Sequence, residues 1–457
     1  MSRVTFVSGT HRGRQSRTVV ADESTRRLDG PRPVPATPSR RSVEPNRRGV
    51  VTLQGVSFIT QIAPTSRFGN CFPQDELKGY WPDSVETAFL EEFDPPIGPL
   101  VLACSVALLM PSAAGGPMKA IRIHEYGGPE VLRYEDAPDP KPRKDQVLVR
   151  VRACAMNHLD IWVRMGVTRS PLPHIPGSDI AGEIVEVGEY VTGLKSGQRV
   201  LIAPMSFCNH CSLCTAGEQN LCSQFTVLGN ANDGGNCELI AVPQVNVIPI
   251  PDNLGFNEAA SVPLVFLTAW HMLTGRARVR PGHTVLVIGA SSGVGIAAIQ
   301  IAKLFHATVI TTAGNDQKLE RARQLGADYG IDHYKQRISD EVRRITNKEG
   351  VDIVVEHVGK ATWDESVKVL KPGGTLVTCG ATTGADVGID LRFLFSRQLA
   401  LLGSYMGTIG ELHEVMQHVF SGRLKAVVDR TFPLGEVRAA HEYLEKSQMF
   451  GKVVLNP

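Results

Sequence analysis

Cys208, Cys211, Cys214 and Cys222 stand in a C-x2-C-x2-C-x7-C array. That spacing lets four thiols fold back on one point, which gives zinc the closed tetrahedral shell of a structural site. Four thiolates leave no open position on the ion, so its work is to hold a lobe together and not to activate water. A second chemical motif is Gly289-Ala-Ser-Ser-Gly-Val-Gly295. It lies between an apolar strand, Thr284 to Ile288, and a helix predicted over Val294 to Phe305. A backbone leaving a strand this way offers helix N-terminal N–H groups to a pyrophosphate. Ser292, Gly293, Val294 and Gly295 are the expected cofactor contacts, and Gly295 also lets the helix pack close to the sheet. The next strand ends Thr311-Thr312-Ala313-Gly314-Asn315, so no carboxylate before Asp316 is placed to hold a ribose 2′-hydroxyl. Lys318 or Arg321 would attract a 2′-phosphate. NADP(H) is the expected nucleotide, and NAD(H) stays open.

These motifs need elements to position them. Val147 to Ala153, Ile180 to Val187 and Arg199 to Ala203 read as short strands between Gly/Pro turns, and Glu238 to Ile250 is strand-like again. After Pro263 the pattern changes. Thr284 to Ile288, Ala307 to Thr312, Asp352 to Glu356, Thr375 to Cys379 and Leu399 to Gly403 are apolar runs, mostly separated by helical stretches or loops. Continuous apolar strands alternating with helices imply a parallel sheet covered on both faces. The fold class is therefore α/β, with a β-rich part followed by a doubly wound sheet.

The chain of 457 residues is too long for one core. Its 42% hydrophobic and 21% charged content is that of a globular protein, and a formal net charge of +2 gives no case for nucleic-acid binding by bulk electrostatics. Five cysteines outside the quartet are scattered, which favours a reducing compartment over a disulfide scaffold. Residues 1–117 differ, with twelve arginines against the single Lys78 and Ser/Pro/Arg clusters without helix or strand period. Two readings stay open: a disordered extension, or a non-native one with initiation at Met118. An organelle-targeting role is weighed against Asp22, Glu23, Asp29 and Glu44, and the expected location is cytoplasmic. Leu100 to Met110 is far shorter than the ~20 residues of a membrane span, so no membrane is expected.

Residues 118–457 resemble the medium-chain dehydrogenase/reductase superfamily, which includes zinc alcohol dehydrogenases and quinone oxidoreductases. The resemblance is carried by Met118-Lys-Ala-Ile-Arg, Gly177-Ser-Asp-Ile-Ala-Gly182, the quartet, Gly289 to Gly295, and Gly451-Lys-Val-Val-Leu455. It implies a GroES-like catalytic domain with a structural zinc lobe at 118–265 and a Rossmann NAD(P)-binding domain at 266–408. The chain would return to the catalytic domain at 409–457, with the active site in the cleft between the domains and a homodimer or homotetramer as the assembly. It also places Thr268, Cys379, Gly380, Tyr405 and Met406 beside the nicotinamide half of the nucleotide, and Lys452 near its phosphates.

The departures from that pattern point to the chemistry. The zinc alcohol dehydrogenases of the superfamily bind a catalytic metal where this chain has Asn157, the pair Ser178-Asp179, and Leu264. Amide, hydroxyl and aliphatic groups are weak or impossible zinc ligands. The expected reaction is hydride transfer from NAD(P)H to a quinone or α,β-unsaturated carbonyl, where hydrogen-bond donors suffice for the delocalised charge. Asn157, His158 and Asp160 are the candidate catalytic residues, and Trp162 is a cleft wall. The alternatives are an alcohol dehydrogenase with an atypical metal site from His158, Asp160 and Asp179, and a catalytically idle nucleotide- or RNA-binding relative.

Overall fold

The computed structural model describes residues 117–457, so the expectations for residues 1–116 lie outside the described part. β1 (Met118–Arg122) pairs antiparallel with β2 (Arg133–Ala137). The centre of the first half is β3 (Gln146–Ala155), whose alternating buried residues Val147, Val149 and Val151 face one core. It is followed by α1 (His158–Met165), which ends on Gly166 in the left-handed conformation at φ 74°. β4 (Asp179–Val187) runs antiparallel to β3, and β5 (Arg199–Ile202) antiparallel to β4.

The cysteine lobe comes next. β6 (Met205–Ser206) and β7 (Thr226–Val227) pair at its base, with the single-turn α2 (Ser212–Thr215) between them. The run Glu238 to Ile250 is not one strand. It forms β8 (Leu239–Pro243) and β9 (Val247–Pro249), separated by a 3-10 turn at Gln244–Asn246 after Pro243, which has no N–H for a ladder. β8 pairs with β3 and β9 with β5.

α3 (Phe256–Ala260) and α4 (Pro263–Trp270) lead out of this sheet, and α4 continues as a π-helical turn through His271–Arg276. The parallel sheet holds β10 (Thr284–Val287), β11 (Thr308–Ala313), β12 (Tyr329–Asp332), β13 (Val351–Glu356), β14 (Leu370–Thr378) and β15 (Ala400–Gly403), in the order β12-β11-β10-β13-β14-β15. β12 is too short and too mixed (Tyr-Gly-Ile-Asp) to show as an apolar run. Its partner β11 makes it a strand. The connections carry α5 (Gly293–Leu304), α6 (Asp316–Gln324), α7 (Ile338–Ile345), α8 (Trp363–Lys368) and α9 (Leu391–Ser396).

After α10 (Ile409–Phe420), which packs on α4, the chain goes back to the first sheet. There β16 (Val428–Pro433) and, beyond α11 (Val437–Glu445), β17 (Lys452–Asn456) complete a seven-stranded sheet of order β16-β17-β3-β4-β5-β9, with β8 as the seventh strand on β3. β17 lies antiparallel to β3 with Val454 opposite Ala155. Followed two residues further, that register sets Lys452 against Asn157, just past the end of β3.

Candidate active site

The loop after β10 is built for close approach. Gly289 has φ 72°, and a Cβ on Gly295 would lie 2.2 Å from the Gly289 carbonyl oxygen, so only glycine fits there. Ser292 caps α5: its Oγ accepts from the Gly295 N–H at 2.9 Å and donates to the Gly289 carbonyl at 2.9 Å. Gly293, Val294 and Gly295 form the first turn, where the N–H groups of Gly293 and Val294, without intrahelical partners, and the helix dipole favour an anion. His357, at the end of β13, stands against this loop with Nε2 3.1 Å from Ser292 Oγ. Burial holds its imidazole below the usual range.

The quartet closes on itself. Among the described residues, Cys208, Cys211, Cys214 and Cys222 are the one group of three or more His, Cys, Asp or Glu that could hold a metal ion, with sulfurs all within 4.8 Å of one another. Cys208 Sγ is 3.8 Å from Cys214 Sγ and 3.6 Å from Cys222 Sγ, close to the ~3.8 Å edge of a tetrahedron with ~2.3 Å zinc–sulfur bonds. Backbone N–H groups of Cys211, Cys214 and Gln224 point at the sulfurs of Cys208, Cys211 and Cys222 at 3.3, 3.4 and 3.3 Å. Such donors stabilise thiolates, so the donor set fits zinc.

Two side chains of the lobe meet residues of the second half. Phe225 meets Tyr405 edge-to-face at 5.6 Å, and Asn220 Nδ2 lies 3.4 Å from His271 Nε2. His271 Nδ1 is 2.8 Å from Glu411 Oε1, and the same carboxylate accepts the Thr408 N–H at 2.9 Å.

Three strand ends bring Asn157, Asp179 and Lys452 into one buried cluster. Lys452 Nζ donates to Asn157 Oδ1 at 2.5 Å and to Asp179 Oδ2 at 2.9 Å. Asn157 Nδ2 donates to Asp179 Oδ2 at 3.0 Å and, weakly, to the Ala155 carbonyl at 3.4 Å. The remaining Asp179 oxygen accepts the Leu264 N–H at 2.8 Å. Lys452 is 5% exposed and Asp179 0%, so the pair is desolvated and charge-compensated. Asp160 adjoins the cluster: its Oδ2 accepts the Asn157 N–H at 2.6 Å while its Oδ1, equally buried, has no partner. Burial pushes the Asp160 carboxyl up to about 6.

The other expected residues distribute as follows. Thr268 is buried and its Oγ1 donates to Met406 Sδ at 3.8 Å, which joins α4 to the loop after β15. Cys379 and Gly380 follow β14, and burial pushes the Cys379 thiol up to about 12, so it is a neutral wall and not a nucleophile. Tyr405 is half exposed. His158, on the first turn of α1, stacks edge-to-face on Trp162 at 5.1 Å. Lys318 Nζ donates to the Ser447 carbonyl at 2.7 Å. Lys452, expected beside the phosphates, points its Nζ at Asn157 and Asp179, although its stem passes the loop: a Cβ on Gly293 would be 3.1 Å from Lys452 Cδ.

Residues 143–252 match the alcohol dehydrogenase GroES-like domain family, and residues 293–421 match the zinc-binding dehydrogenase family. A quinone oxidoreductase of Rattus norvegicus is 31% identical over 348 residues, spanning 74% of this chain and 97% of that protein. An NAD-dependent alcohol dehydrogenase of Sulfurisphaera tokodaii is 33% identical over 351 residues, spanning 74% of this chain and all of its own. The chain belongs to the medium-chain dehydrogenase/reductase superfamily. Among solved structures of the superfamily's fold, an NAD-dependent alcohol dehydrogenase superposes with TM-score 0.73 at 44% identity, covering 74% of this chain and 100% of that one. A crotonyl-CoA carboxylase/reductase in complex with NADP gives 0.70 at 26% identity, covering 74% and 94%. The expected pairing of a GroES-like part with a Rossmann-like parallel sheet is thereby shown, and the protein is an oxidoreductase of this superfamily.

Seen as a superfamily member, the chain brings its expected catalytic-metal positions together but gives them the wrong donors. Asn157 and Asp179 converge on the Lys452 ammonium, which repels a cation, and the Leu264 N–H holds the second Asp179 oxygen. His158, Asp160 and Asp179 form no ligand group of the kind found at the quartet. The residues present do not fit a catalytic zinc. Sequence reasoning assigned Lys452 to the nucleotide and left Asp179 out of the leading site. A carboxylate inside the apolar run Gly177-Ser-Asp-Ile-Ala-Gly182 was the available signal, because a buried charge needs a partner.

Proposed function

We propose that the protein is an NAD(P)H-dependent reductase of quinones or α,β-unsaturated carbonyls that works without a catalytic metal and carries one structural zinc. The observation that carries this reading is the ammonium-held cluster at Asn157 and Asp179, which offers hydrogen-bond donors where a Lewis acid would stand. A bound nicotinamide supplies the hydride. The protein's residues bind and orient: the loop Ser292–Gly295 would take the diphosphate on its N–H groups. Thr268, Cys379, Gly380, Tyr405 and Met406 would wall the nicotinamide end. When hydride adds to a conjugated carbonyl, negative charge grows on the distant oxygen, and a preorganised donor such as Asn157 Nδ2 would stabilise it. Asp160 anchors the Asn157 backbone, and His158 and Trp162 line the approach.

NADPH is the preferred nucleotide in this reading. The end of β11 carries Gly314 and Asn315 with no carboxylate, and Lys335 pairs with both nearby carboxylates, Asp316 and Asp332, at 3.0 Å each. Gly314 and Asn315 themselves set no charge against a 2′-phosphate. The test is a panel of quinones, enones, aldehydes and alcohols with both nucleotides, read by nicotinamide absorbance, together with metal analysis. Turnover of quinones or enones at about one zinc per chain supports the reading; alcohol oxidation with two zincs per chain removes it.

A further inference from the structure

Among the described residues, Lys452 is the one charged side chain that touches both Asn157 and Asp179. We propose that it is a positioning residue of the substrate site: its ammonium fixes which end of the Asn157 amide faces the cleft. This deepens the reductase reading and rests on it. An amide can be turned over to exchange its oxygen and nitrogen, and the two orientations do opposite things to a developing oxyanion. With Oδ1 facing the substrate, the amide repels the growing charge. With Nδ2 there, it donates.

The Lys452 Nζ–Asn157 Oδ1 bond, 2.5 Å and charge-assisted, holds the oxygen inward. Asp179 completes the arrangement. Its Oδ2 accepts one Nδ2 hydrogen at 3.0 Å and the Lys452 ammonium at 2.9 Å, and its Oδ1 is fixed by the Leu264 N–H at 2.8 Å. The second Nδ2 hydrogen has only the long contact to the Ala155 carbonyl, 3.4 Å, and is the one available to a substrate oxygen. Turning the amide over would set Nδ2 against the ammonium and Oδ1 against the Asp179 carboxylate, a clash of like groups on both sides. The cluster thus has one stable orientation.

The competing role for the same side chain is a direct bond to the nucleotide phosphates, since its stem lies against Gly293. The two roles separate kinetically. In the full-length protein, Lys452→Met is compared with Lys452→Arg and with Asp179→Asn/Lys452→Met, which removes both charges and leaves none buried alone. The positioning role predicts that Lys452→Met and the double variant lose about tenfold or more in kcat while the Kd for NADPH, read by its fluorescence, moves less than about threefold. Lys452→Arg recovers part of the turnover, and adding Asn157→Ala to Lys452→Met costs nothing further.

Three results overturn the proposal: an NADPH Kd raised about tenfold with kcat intact, losses for Asn157→Ala and Lys452→Met that multiply, or an activity loss that only follows the melting temperature. If the wild-type protein reduces no quinone or enone, the functional reading fails by itself. The nucleotide titration then still decides on Lys452, because an unchanged Kd in the double variant keeps the ammonium on the Asn157 side and a raised one assigns it to the phosphates.

Discussion

Asn157 and Asp160 are three residues apart on one turn, yet they do different work. Asn157 supplies the side-chain donor of the proposed site, and Asp160 secures the Asn157 backbone N–H. Replacing Asn157 by Ala removes the donor and leaves the nucleotide loop untouched. The expected result is a fall in kcat of about a hundredfold with nucleotide affinity little changed; unaltered turnover would remove the residue from the mechanism. Asp160 has a stability signature. Its carboxyl titrates at about 6 in the folded chain against 3.8 for the free group, because burial disfavours the charge. A carboxyl whose pKa rises on folding costs stability as pH climbs through that interval, and the cost is constant above it. The full cost is about 3 kcal/mol at most. Asp160→Asn keeps an acceptor for the Asn157 N–H and has no charge to bury. Urea unfolding should therefore show the variant gaining on the wild type between about pH 4 and 6 and holding a fixed advantage above. A difference that does not change with pH would refute this assignment.

At the scale of elements, the cysteine lobe is a brace that touches the second half through Phe225 and Tyr405 and through Asn220 and His271. A zinc held by four thiolates would have no open position for chemistry, so the lobe's influence on activity would run through these contacts. Cys211→Ser is expected to release the ion, detectable with a chromogenic chelator, and to lower the melting temperature. NADPH affinity should weaken as Tyr405 loses its support. A variant that keeps about one zinc per chain and its full stability would take Cys211 out of the ligand set. The strand-to-helix loop is an independent element, and its geometry depends on Gly289 and Gly295 and not on the metal.

At the scale of the whole molecule, one edge of the parallel sheet is open. β15 pairs only with β14 among the described strands, and beside it on α9 Leu391 and Phe395 are 65% and 69% exposed. An apolar edge strand of this kind is normally covered, and a second copy is the simplest cover. Sedimentation should give a dimer or a multiple of it, and a monomer at micromolar concentration would remove this expectation. The same scale separates what the sequence determines from what it leaves to the fold. The zinc lobe and the nucleotide loop were legible because each is written in contiguous residues whose spacing alone sets the geometry: four cysteines on one lobe, three glycines on one turn. The alternation of apolar runs likewise announced the parallel sheet, of whose six strands only β12 escaped it. The cluster at Asn157 was legible only as a departure, a position where a metal ligand was missing. What fills it comes from Lys452, 295 residues away, and no local spacing encodes that meeting. It follows from the register of β17 on β3 and of β3 on β4, which folding sets by burying whole strand faces together. Sequence thus determined which motifs this protein owns; the tertiary pairing of strand ends decided which charge stands at the centre of its cleft.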